Sequence, residues 1–83
     1  MQKIDRAAIS LDGHIYSIPK PGRHHDVIKE MVKGGIVPHR GVQGFLTTEG
    51  KFVDRKEAAK IAIESGQIQK LRTPPDLFSE DLW

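Results

Sequence analysis

Two short apolar runs, residues 7–11 and 14–17, flank Asp12-Gly13. Asp-Gly is a favoured two-residue hairpin turn because both positions take positive φ, so the pattern predicts a β-hairpin. Residues 18–22 carry two prolines and are expected to form an extended connector. Across residues 23–33, Val27, Ile28 and Met31 share one helical face, with His24 one turn before Ile28. Gly34-Gly35 supplies the stop signal for that helix. Residues 36–42, with Pro38, His39 and Arg40, read as a loop. Residues 44–48 and 51–53 flank Glu49-Gly50, a second hairpin signal. Asp54 is placed to cap a second helix, and Glu57, three residues on, suits a capping box. Ala58, Ala59, Ile61, Ala62 and Ile63 form its packing face, and Gly66 stops it. The small alanines imply close approach to a sheet or a second subunit.

This order predicts an α+β fold of ββαββα type, one small domain spanning residues 1–83. Residues 72–83 follow as an extended tail. A lone tryptophan at position 83, with Leu77, Phe78 and Leu82, reads as an apolar anchor that docks on its own body or on a partner subunit. A chain of 83 residues buries only a thin core, which favours a homo-oligomer.

Composition narrows the chemistry. The absence of cysteine excludes disulfides, thiolate nucleophiles and cysteine-based zinc sites. The first residues lack an apolar signal core, and no run approaches the ~20 apolar residues of a membrane span. A soluble cytoplasmic protein with no membrane partner is the expectation. The net charge of +2 is unevenly spread. Residues 1–73 hold all 13 bases against eight acids, a net of +5, whereas the last ten residues carry Asp76, Glu80 and Asp81 and no base. A basic body with an acidic tail suits a small anionic ligand better than long nucleic acid.

The candidate chemistry lies mainly at the first helix start, in Pro19-Lys20-Pro21-Gly22-Arg23-His24-His25-Asp26. Free backbone N–H groups and the positive end of the macrodipole attract anions there. Arg23 and Lys20 add positive charge, and Arg23 a planar fork suited to phosphate. His24 and His25 add groups that exchange protons near neutrality, fit to serve as general base and general acid at a phosphodiester. Adjacent helical residues point ~100° apart, so His24 packed with Ile28 as a core histidine and His25 simply solvated stand as alternatives. The i, i+1 spacing is poor for zinc, and no metal or cofactor is expected. Arg55, at the positive end of the second helix, calls for a compensating anion: Asp54, the tail acids or a ligand. Gln43 offers an amide, and Phe45 and Tyr16 stacking faces, to a nucleobase, although a phenylalanine such as Phe45 is more often a core residue. No P-loop, Rossmann glycine fingerprint, Gly-x-Ser-x-Gly or His-Glu-x-x-His is present.

Several blocks together resemble a widespread family of short phage and prophage proteins. They are Arg23-His24-His25, Gln43-Gly44-Phe45-Leu46-Thr47, Gly50, Phe52-Val53-Asp54-Arg55 with Glu57-Ala58, Gly66-Gln67-Ile68 and Ser79-Glu80-Asp81-Leu82-Trp83. The resemblance covers most of the chain from Tyr16 onward. Within that family the chain looks like phage proteins that disarm nucleotide immune signals in the host cytoplasm. This implies cleavage of the cyclic dinucleotides of CBASS-type defence, with His24 and His25 in the active site and Arg23, Gln43 and Arg55 around the phosphates. The alternatives are a non-catalytic sponge for a cyclic nucleotide ligand and an inhibitor that binds a host protein through its Trp83 tail.

Overall fold

The computed structural model describes residues 2–37 and 41–83. Its elements follow the expected order: β1 (Ile4–Leu11), β2 (His14–Pro19), α1 (His24–Lys33), β3 (Val42–Thr47), β4 (Phe52–Asp54) and α2 (Arg55–Glu64), then a short 3-10 turn over Ser79–Asp81. Pro38, His39 and Arg40 of the expected loop lie outside the described residues.

The four strands form one antiparallel sheet in the order β2-β1-β3-β4. The β1–β2 turn is the expected one, with Asp12 at φ 50 and Gly13 at φ 81. Pairing β1 with β3 joins the two hairpins, and both helices cover the same sheet face. Ala7 stands between Ile18 and Phe45, Ile9 between Tyr16 and Gln43, and Phe45 pairs with Val53. Against this face α1 sets Val27 and Met31, and α2 sets Ala58, Ala59, Ile61 and Ala62. The alanines let α2 approach the sheet closely, and burial of the apolar atoms is the main stabilising contribution.

Several boundaries depart from the sequence reading. β1 begins at Ile4 rather than at residue 7, because a bulge between Ile4 and Arg6 puts Ile4 on the core face with Ala7. Ile18 and Pro19, expected in the connector, close β2. An edge strand tolerates a terminal proline because no second neighbour needs its N–H. Val42, expected in the loop, opens β3. Asp54 caps α2, its Oδ1 accepting from the Glu57 N–H at 2.8 Å. Glu57 does not complete the reciprocal bond, since the Asp54 backbone belongs to the ladder opposite Gly44.

The chain beyond α2 packs on its own body. Gln67 acts like a short strand: its Oε1 accepts from the Ile4 N–H at 2.6 Å, and its Nε2 donates to the Ile4 carbonyl at 2.9 Å. Leu77 is fully buried within the core.

Candidate functional site

Each helix begins at an arginine, and both arginines hold the C-terminal segment. At α1, Arg23 is the N-cap and His24 the first helical residue. The Arg23 N–H donates to Asp26 Oδ2 at 2.9 Å, and this bond above all holds the Asp26 carboxyl below its ordinary range. The Arg23 guanidinium Nη2 donates to the Trp83 carbonyl. The Trp83 indole N–H donates to the Gly22 carbonyl at 2.8 Å.

At α2 the grip is tighter. Arg55 Nη1 donates to the Leu77 carbonyl at 2.9 Å, and the Leu77 N–H donates back to the Arg55 carbonyl at 3.1 Å. Arg55 Nη2 donates to Gln43 Oε1, and the guanidinium carbon lies 4.4 Å from the centroid of the Phe78 ring. Burial lowers the Arg55 pKa, while Asp76 and Glu80 oppose that shift. Arginine remains charged under these conditions, so a half-desolvated cation is held here by carbonyls, an aromatic face and nearby acids. The acidic tail thus lies against the basic body, and Asp76 and Glu80 offset part of the Arg55 charge without forming an ion pair with it.

A shallow hollow of about 230 Å3 opens beside Arg55, lined by Gln43, Asp54, Arg55, Lys56 and Asp76. Two of the expected ligand residues, Gln43 and Arg55, therefore meet in one place. Asp76, one of the tail acids expected to offset Arg55, joins them, as does Lys56, which was not singled out in the sequence although it follows Arg55 at the helix start. Cations and carboxylates side by side can take a phosphate on one flank and hydroxyl or N–H donors on the other.

The imidazoles do not meet there. His24 is 6% exposed. Its Nε2 lies 2.7 Å from the Gly44 carbonyl, to which an Nε2–H donates, and its ring packs edge-on to Phe45 at 4.9 Å. Burial, the largest cause, lowers the His24 pKa below its ordinary 6.5; the Arg55 charge adds to the shift, while the Gly44 bond and Glu80 oppose it. The neutral ring is a strut between α1 and β3. His25 points to solvent, its side chain 65% exposed and Nε2 3.4 Å from Asp26 Oδ1.

Gly44, which accepts this bond, is itself required by its close approach to β4. A Cβ there would overlap the Val53 carbonyl oxygen and stand 2.7 Å from the Phe52 ring, so only glycine suits the crossing. Phe45, expected to offer a stacking face, is fully buried and offers none. Tyr16 is half-buried against the core beside Ile9, with His14 tilted to it at 6.4 Å. Lys20 is exposed on the turn after β2, joined to Pro21 by a cis peptide bond. Neither lines the hollow at Arg55. The signal that marks His24 as core was present in the sequence: His24, Val27, Ile28 and Met31 lie on one helical stripe.

Among the described residues no helix is long and apolar enough to cross a membrane. No curated protein and no solved structure matches the chain. A family model described as "Phage T4 y16D protein" matches residues 3–83.

Proposed function

We propose that this chain, which belongs to the phage T4 y16D protein family, is a counter-defence protein that captures a cyclic nucleotide signal in the host cytoplasm without cleaving it. The observation that carries this reading is the hollow at the start of α2. Arg55 and Lys56 present positive charge, Gln43 an amide, and Asp54 and Asp76 acceptors. Phosphate engages the cations, and sugar hydroxyls or base N–H groups engage the carboxylates.

Capture is favoured over cleavage because turnover without a metal needs both a base and an acid within reach of the ligand. His24 is shut in and its Nε2 is committed to Gly44, so of the two imidazoles at the α1 start His25 alone reaches the surface. The phosphodiesterase reading keeps one support, the exposed His25 imidazole beside Arg23.

Mixing the purified protein with 3′,3′-cyclic GMP–AMP separates the readings. Saturable binding heat, with intact nucleotide recovered after denaturation, is the expected result. Gln43→Ala or Lys56→Ala then weakens binding about tenfold, the worth of one charged or polar contact. Linear product would restore the hydrolytic reading. Neither heat nor product would leave the chain as a binder of a host protein.

A further inference from the structure

The outer flank of α2 carries a second hollow, larger and of different character. It holds about 560 Å3 and runs between α2 and the segment after it, lined by Lys56, Ala59, Lys60, Ile63, Glu64, Leu71 and the pair Pro74-Pro75. Ile63 is 44% exposed at its edge, whereas Ala59 is buried at its floor. An apolar trough of this size with an exposed β-branched side chain at its edge is a surface suited to a partner.

We infer that this groove receives α2 of a second copy of this chain, in an antiparallel, two-fold pairing. The order of residues along the helix favours this pairing. Ala59 and Ile63 are one turn apart and share a flank with Lys56 and Lys60. When Ile63 of one copy sits over the partner's Ala59, two-fold symmetry seats the partner's Ile63 over Ala59 in return. A large side chain thereby fills the place left by a small one, twice. In that register Glu64 lies opposite position 58 of the other helix, between the partner's Lys56 and the partner's Lys60. Along this flank the helix carries Lys56 and Lys60 before Glu64, so the antiparallel arrangement joins opposite charges. A parallel one would set like against like. Pro74 and Pro75 form the opposite wall, a rigid apolar surface that loses little conformational entropy on contact.

The pairing does not rest on the nucleotide reading. Lys56 lines both hollows, so the dimer would bring two copies of the Arg55 site to neighbouring positions. Two short helices bury little area, and the expected association is weak.

Sedimentation equilibrium of the full chain from about 1 μM to about 1 mM, the span that covers weak association, tests the inference. The expected result is a reversible monomer–dimer equilibrium. Ile63→Glu abolishes it, with an unchanged circular dichroism spectrum because the side chain is already half-exposed. Glu64→Lys weakens it at least tenfold, and the double variant Lys60→Glu with Glu64→Lys recovers most of the loss. A chain that stays monomeric at about 1 mM overturns the inference and frees the groove for a different protein. So does a dimer indifferent to Ile63→Glu, or a charge swap that fails to rescue.

Discussion

The starts of α1 and α2 are built from like parts and do different things. Each presents an arginine that donates to a carbonyl of the C-terminal segment, Arg23 to Trp83 and Arg55 to Leu77. At α2 the cation is half-buried, stacked on Phe78 and bonded to Gln43, with its backbone tied back by Leu77. At α1 the buried group is the neighbour, His24, while Arg23 reaches outward along the surface. The lesson concerns what a helix start does with positive charge. A cation there is disfavoured by the dipole, so it is retained where neighbouring oxygens or a ligand offset it. At α2 that offset surrounds a hollow; at α1 it closes a strap over the fold.

The largest break in this comparison is His24→Ala. The substitution opens a cavity beside Phe45 and leaves the Gly44 carbonyl without its donor, and about 3 kcal/mol of stability is expected to be lost. Denaturant unfolding measures it; a loss below about 1 kcal/mol would refute the strut. Arg55→Ala comes next, with about 2 kcal/mol from two hydrogen bonds and one cation–π contact at a half-buried site. Arg55→Lys should recover little, because a single ammonium cannot serve Leu77 and Gln43 with the same fork. If Lys restores full stability, charge alone rather than geometry holds the tail.

The pH dependence sharpens the same contrast. The folded-state pKa of His24 is depressed below its ordinary 6.5, so the unfolded chain takes up that proton first as the pH falls. The contribution of neutral His24 is whole above 6.5 and is lost as the pH drops from there through the lowered folded value. The slope from this group reaches at most about 1.4 kcal/mol per pH unit. Melting temperatures between pH 7.5 and 5 should therefore fall more steeply in the native chain than in His24→Gln. Parallel curves would remove His24 from the account. The smallest effects belong to Arg23 and His25 at the α1 start. Arg23→Ala should cost about 1 kcal/mol through the Trp83 carbonyl, and His25→Ala less than about 0.5 kcal/mol, both read by thermal unfolding.

Particular residues explain which features the sequence made legible. Asp12-Gly13 and Glu49-Gly50 marked both turns, because a tight reversal needs positive φ that few residues supply. Gly34-Gly35, Gly66 and Asp54 marked helix ends through equally local requirements. The pairing of β1 with β3, the bulge near Asp5 and the Gln67 clasp on Ile4 join residues far apart in the chain, and no local pattern encodes them. At the candidate site, Gln43 was legible as an amide for a nucleobase and Arg55 as a cation in need of an anion, while no local pattern joined the two. The helical stripe also allowed His24 to be core, and burial decided between the two readings.

By itself, the sequence determined the order of elements, the polarity of each face, the phage family and the split between a basic body and an acidic tail. These depend on near neighbours or on totals, which the chain carries in linear form. Only the tertiary structure decided that the tail lies over both helix starts, that His24 faces Phe45 while His25 faces water, and that Lys56 and Asp76 join Arg55 at one hollow. Those outcomes follow from long-range burial, where a side chain's environment is set by segments that the one-dimensional pattern cannot bring together.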